Sequence, residues 1–261
     1  MKRYLKIFWL LSSYSIKTSF QHRLGVVSFL LGKIIRFTVY FFFIYFLVSR
    51  TKLLAGYNLN QTIIFFLVYN IIDSLTQMFF REVYRFRPLV VSGELDHILL
   101  KPYHPFLRIL VGGIDPLDII MLVPYLIILV FFILQAGMAI LPVNFFIFLI
   151  LMSNALILAT FFHILVLAIG IFTTEVDHTI LIYRDFARMA SLPTDIYSEP
   201  LRFFITFVIP VGLMMTIPAK ALFGLLTINI LIISAAITVF FGWFSLSLWN
   251  NALKKYQSWG G

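Results

Sequence analysis

Residues 119–174 read IIMLVPYLIILVFFILQAGMAILPVNFFIFLILMSNALILATFFHILVLAIGIFTT, 56 residues without one Asp, Glu, Lys or Arg. As a single helix this run would be roughly 84 Å long, against a bilayer hydrocarbon core of about 30 Å, so it must fold back on itself. Gly137, Pro142 and Asn144 mark the turn, because glycine, proline and asparagine punctuate helices. The run therefore predicts one membrane span near 117–137 and another near 145–172.

Working outward, a second uncharged run of 33 residues between Lys220 and Lys254 predicts a span near 226–248. Upstream, apolar stretches predict spans near 26–48 and 60–80, separated by Arg50, Lys52 and the polar turn Gly56-Tyr57-Asn58. Pro200 suits the first turn of a helix over 200–217, and Pro210 within it predicts a kink. The expected fold is all-α: one polytopic membrane domain over 1–261 with six transmembrane helices and short cytoplasmic amphipathic helices. Composition agrees. Of 261 residues, 61% are hydrophobic and 12% charged, where soluble domains carry about 25% charged, and mean hydropathy is +1.00. A water-soluble enzyme is excluded.

The net charge of +9 comes from 20 Lys and Arg against 11 Asp and Glu. If the N-terminus is cytoplasmic, these spans place 15 Lys and Arg inside and 3 outside (Arg50, Lys52, Lys220), with Lys33 and Arg36 inside the first span. Positive charge accumulates on cytoplasmic loops, so both termini are expected in the cytoplasm. The same count explains the charge without nucleic acid as a partner. Met1-Lys2-Arg3 resembles the start of a signal peptide, but no small-residue cleavage pattern follows and the segment reads as retained. Residues 1–24 place Lys2, Lys6, Ser13 and Lys17 along one helical face. That fits a basic interfacial helix on anionic lipid, or simply the basic flank of the first span.

Cysteine is absent, which removes thiolate chemistry and Cys-based metal sites. His22, His97, His104, His163 and His178 are scattered with no H-E-x-x-H, so neither a metal site nor a catalytic residue is expected. The phosphate-cradling pattern G-x4-G-K-[ST] is missing, its nearest approach being Gly32-Lys33 inside a span.

Four groups of residues stand out. In the long connection 81–116, the stretch 92–102 reads SGELDHILLKP, a short helix with Glu94 and Asp96 early, Lys101 late and Pro102 as its stop. Leu95, Ile98 and Leu99 would share a face, to dock on a partner or to lie in the lipid interface. In the connection 173–199, Val176, Ile180, Tyr183 and Ala187 share one face and Arg184 and Arg188 another, read as a second cytoplasmic contact or an interfacial helix. Inside the membrane, Lys33 and Arg36 lie about 10 to 15 Å from the cytoplasmic end of their span and Asp73 about 12 Å from that end of its own. Intramembrane charges pair or serve function, so Asp73 is expected to pair with Lys33 or Arg36, with Asn70 and Gln77 on the same stripe. Finally, Ala155, Ala159 and His163, and Ser234, Thr238 and Gly242, repeat every four residues as close-packing faces.

The six spans, the motif Leu89-Val90-Val91-Ser92-Gly93-Glu94-Leu95-Asp96 with Leu99-Leu100-Lys101-Pro102, and Ile217-Pro218-Ala219 before the last span resemble the permease subunit of a type-2 ABC transporter. The similarity is to the small bacterial branch without a fused ATPase. It implies a subunit of the bacterial cytoplasmic membrane whose helix at Glu94 to Leu100 couples to a separate ABC ATPase, which holds the ATP and magnesium; this chain binds no cofactor. It further implies a second permease subunit, identical or related, export as the function, and a re-entrant element after Pro210, with Pro218 and Lys220, near the outer mouth. A stand-alone secondary transporter or channel, and an intramembrane enzyme, remain the competing classes.

Overall fold

The structure, a computed structural model, describes residues 2–137, 141–173 and 176–257. Part of the turn expected between Gly137 and Pro142, and Glu175, lie outside the described residues. Helix α1 covers Lys2–Gln21, α2 Arg23–Thr51, α3 Leu59–Phe80, α4 Phe86–Val91, α5 Glu94–Leu99, α6 Pro116–Gln135, α7 Pro142–Thr173, α8 Val176–Met189, α9 Glu199–Phe203, α10 Val211–Leu222 and α11 Ile228–Lys255. Five helices are long and apolar enough to cross a membrane: α2, α3 with its continuation to Val91, α6, α7 and α11.

Local chemistry sets the helix starts. Asn58 and Gln61 form a reciprocal capping box at α3, which satisfies two backbone donors that would otherwise be orphaned. Asp115 accepts from the Leu117 amide, and Pro116 occupies the first turn of α6. The uncharged run folds back as expected, α6 with 20 residues just long enough for one bilayer crossing and α7 with 32 longer than one needs.

Helix α3 is the centre of the bundle, with Ile63, Ile64, Leu67, Val68 and Ile72 all fully buried. Helices α2 and α11 turn most of their surface outward, as lipid-facing helices do. Gly242 lets α11 approach α7 closely: a Cβ there would lie 2.6 Å from the Phe161 ring. Asn154 on α7 donates to the Ser234 hydroxyl of α11 at 2.9 Å. The small-residue face of α11 thus lies on α7 through Asn154 and Phe161, while His163 of the face expected on α7 packs against Phe80 and Tyr183.

The fifth crossing differs from expectation. Residues 200–217 do not form one kinked span: α9, with the π-helical turn Phe204–Val208 after it, meets α10 at a bend of 97°. Proline lacks an amide hydrogen and its ring blocks the preceding turn, so Pro210 ends one limb, and Gly212 packs against Thr206 where a Cβ would fall 2.6 Å from its hydroxyl. Both outer ends of this bent pair meet the same carboxylate. Asp195 lies 2.8 Å from Lys220 Nζ, near the end of α10, and 3.5 Å from Arg202 Nη1 on α9. The element therefore enters and leaves at one end of the bundle.

Residues 176–197 run the length of the bundle instead. At one end Val176 packs where Gly170 and Phe86 meet; midway Tyr183 lies against Phe162 and His163 of α7. Ser191 then reaches Tyr40 at 3.0 Å, and Asp195 accepts from Tyr57 at 3.1 Å, beyond the end of α2. The segment expected as a cytoplasmic connection thus traverses the bundle. Hydropathy missed it because Arg184, Asp185 and Arg188 make α8 too polar for a lipid-facing helix. Here Arg184 and Arg188 line cavities, and Asp185 pairs with Arg188.

Chain ends α1 and α11 finish at the same end of the bundle. Ser12 accepts from the Ile114 amide at 3.2 Å, and Lys255 Nζ sits 5.8 Å from the Phe172 ring at the foot of α7. With the corrected path, Arg202 joins Arg50, Lys52 and Lys220 at the opposite end, Arg184 and Arg188 join Lys33 and Arg36 within the bundle, and twelve Lys and Arg stay at the chain-terminal end.

Asp195 binds three segments at once, so Asp195→Asn is expected to loosen the bent element. A loss of about 1–3 kcal/mol, seen as a lower unfolding midpoint in detergent, checks this; an unchanged midpoint would count against the anchoring role.

Candidate functional site

Two regions carry polar chemistry, and the chain between α3 and α6 links them. After α3 a 3₁₀ turn, Arg81–Arg85, leads into α4, and Gly93 at φ 74° reverses the chain into α5. A left-handed φ of this kind costs glycine little and other residues more.

The face of α5 predicted to dock outward is used inward. Leu95 is fully buried and Ile98 is 6% exposed, both within the chain's own core, while Leu99 is half-buried. The surface left free holds Glu94, His97, Leu100 and Lys101, with Asp96 partly covered; Leu100 is 83% exposed. The reason is size: in a six-residue helix one apolar stripe suffices to seat it, and α4 supplies the complementary side. His97 and Leu100 fall within the expected coupling helix but outside its expected docking face, lying opposite Leu95 and Ile98 on a 100° helical wheel. At the chain's other end Tyr256 lies beside Asp96; burial first, then that carboxylate, pushes its phenol up to about 12.

The second region is a polar cavity of about 520 Å³ at the chain-terminal half of the bundle. Lys33 and Arg36 reach it from α2, Asp73 and Gln77 from α3, Arg81, Tyr84 and Arg85 from the 3₁₀ turn, and Arg184 from α8. Arg36 Nη2 lies 4.0 Å from Asp73 Oδ2, and the arginine side chain is 48% exposed. Lys33 pairs with Asp118 instead. Arg81 completes that cluster, with Nε 3.4 Å from Asp115 and Nη1 3.6 Å from Asp118.

Asp118 directly precedes the uncharged run and is not among the residues expected to pair. As the third residue of α6 it lies in the first turn, shallower than the depth expected of Lys33, so matching depths point to Asp73 instead. Gln77 donates to the Tyr84 hydroxyl at 2.8 Å, and Arg184 stacks over the Tyr84 ring at 5.8 Å. Glu82 braces the turn from below, 2.9 Å from Arg85 and 2.5 Å from Arg108. Its side chain crosses Gly112 so closely that a Cβ there would be 1.7 Å away.

A smaller cavity of about 120 Å³ adjoins through Arg36 and is lined by Tyr40, Tyr69, Asn70, Arg188 and Ser191 together with Phe37 and Phe66. Tyr183 does not reach a surface, being buried against α7; Arg188 pairs with Asp185 at 3.0 Å. Pro210 forms the break and Pro218 is buried in α10. At the opposite end, burial and the Asp195 carboxylate hold the Tyr57 phenol well above its ordinary range, which keeps it a donor to Asp195. Among the described residues no cluster of His, Asp and Glu could hold a metal ion.

A multi-crossing helical bundle with a bent element at one end, a short braced helix at the other and no internal nucleotide-binding motif defines an integral membrane protein of the transporter type. The model for the ABC-2 family transporter protein matches residues 34–260, and the chain belongs to that family. No curated protein and no solved structure matches it.

The Lys33, Arg81, Asp115 and Asp118 cluster has a checkable energetic signature. Asp118→Leu is expected to cost about 3 kcal/mol by stranding a buried cation, measured as a lowered unfolding midpoint. Combining it with Lys33→Met should recover part of that loss, since Arg81 keeps Asp115; equal midpoints for the single and double variants would contradict the pairing.

Proposed function

We propose that this chain is the membrane-spanning subunit of an ATP-driven exporter of the bacterial cytoplasmic membrane. Two permease subunits, identical or paired with a related chain, form the pathway, and a separate ABC ATPase carries the ATP and magnesium. The family supports the class, and the missing phosphate-binding loop supports an ATPase on another chain. The chain-terminal end holds most of the Lys and Arg, which supports placing it in the cytoplasm; the bent element α9–α10 then lies at the outer mouth.

The observation that carries the reading is the division of labour on α5. Leu95 and Ile98 root the helix in the bundle, while Glu94, His97, Leu100 and Lys101 present a free, mixed polar and apolar face at the cytoplasmic end. Such a face suits a partner groove, with Leu100 as the anchor and charges setting the register. Movement of the ATPase subunits would carry α5 with them. Because α5 and α4 continue directly from the turn that bears Arg81, Tyr84 and Arg85, that movement would also shift the wall of the polar cavity, a rigid-element route from ATP to the pathway.

Co-purification with a tagged candidate ATPase, followed by ATPase assays in proteoliposomes, tests this. Leu100→Asp and Glu94→Arg are expected to reduce permease-dependent ATPase activity about tenfold or more with the unfolding midpoint unchanged, whereas Leu95→Asp should lower the midpoint itself. Full transport by the purified chain without ATP would overturn the proposal in favour of a secondary transporter.

A further inference from the structure

The polar cavity holds more positive charge than its neighbourhood neutralises. Asp118 and Asp115 answer Lys33 and Arg81, and Glu82 is shared between Arg85 and Arg108. Arg36 has only a loose contact with Asp73 at 4.0 Å. Arg184 has a tyrosine ring and, among the described residues, no carboxylate partner. Six cations therefore surround four carboxylates, an excess of two positive charges. Cations held at membrane depth without counter-charges are costly unless they serve a ligand.

We infer that this cavity binds a phosphate group carried by a larger molecule, and the geometry points to the headgroup of an anionic amphiphile. Convergent arginines select phosphate, whose several oxygens accept paired N–H bonds that a single carboxylate cannot fill. At about 520 Å³ the space exceeds what inorganic phosphate needs and falls in the range of small-molecule sites. The neighbouring cavity, joined at Arg36, continues along α2 over Phe37, Tyr40 and Phe66. On the same helix Leu31, Ile34 and Ile35 face outward, so an apolar tail can leave beside α2 into lipid. The inference rests on the transport reading for its purpose, naming a substrate class, but not for its chemistry.

Gly32 supplies the decisive variant. It lines the cavity, and a Cβ added there meets nothing within 4 Å. Gly32→Leu therefore fills the space while leaving every charge and helix contact in place.

The test is binding to the purified chain in a neutral detergent, without any ATPase, by native mass spectrometry and thermal shift. The probes are dioleoyl phosphatidic acid, dioleoylglycerol, oleate and inorganic phosphate. Phosphatidic acid is expected to bind and to stabilise the chain; dioleoylglycerol and oleate are not. Competition by inorganic phosphate at comparable concentration would overturn the lipid-borne assignment in favour of free phosphate, and its absence supports the proposal. Arg36→Gln with Arg184→Gln, and separately Gly32→Leu, should each weaken phosphatidic acid about tenfold or more, while Lys6→Gln on α1 should not. Equal binding by wild type and Gly32→Leu, or binding of dioleoylglycerol as tight as that of phosphatidic acid, would overturn the proposal. Since no ATPase is present, this result stands apart from the coupling assay: loss of coupling in the α5 variants leaves it untouched, and the reverse.

Discussion

A charge inside a bilayer must be matched by another charge, by hydrogen bonds or by water, because hydrocarbon offers nothing to replace hydration. The chain-terminal half of this bundle is organised around that constraint. Asp118, fully shielded in α6, is flanked by Lys33 from α2 and Arg81 from the turn after α3. Three elements distant in sequence are thereby fixed at one depth. The same cluster separates a paired interior from the less compensated Arg36 and Arg184 beside it, and so creates the polar cavity rather than merely bordering it.

The constraint also explains how α8 can cross. A helix bearing Arg184, Asp185 and Arg188 would be expelled from lipid, yet Tyr183 packs on α7, Arg184 and Arg188 line the cavities and Asp185 pairs with Arg188. Asp195 then ties the end of this crossing to Tyr57, Arg202 and Lys220. That knot lets α9 and α10 form a bent insertion with both ends on one side. The chain thus runs along the bundle with both its ends together, the fifth passage being the polar segment and not the proline-rich one.

At the basic end, the short helix α5 illustrates a similar inversion. An apolar stripe on an amphipathic helix always needs cover, but the stripe alone does not say whose. In this chain the cover is internal, and the surface left for a partner is the opposite one, centred on the highly exposed Leu100. Through α4, α5 is continuous with the turn whose Arg81, Tyr84 and Arg85 line the cavity.

The sequence by itself determined the membrane class, the hairpin of the 56-residue run, three further apolar helices, the family, and the side carrying positive charge. Those features follow from run lengths and composition, which one chain displays without knowledge of its contacts. It also placed Asp73 and Arg36 at matching depths. Only the tertiary structure decided that Lys33 belongs to Asp118, that α8 crosses while 200–217 bends back, and that Leu95 and Ile98 face inward. Each of these depends on which neighbour covers a polar or apolar face, and hydropathy measures the face without naming the neighbour.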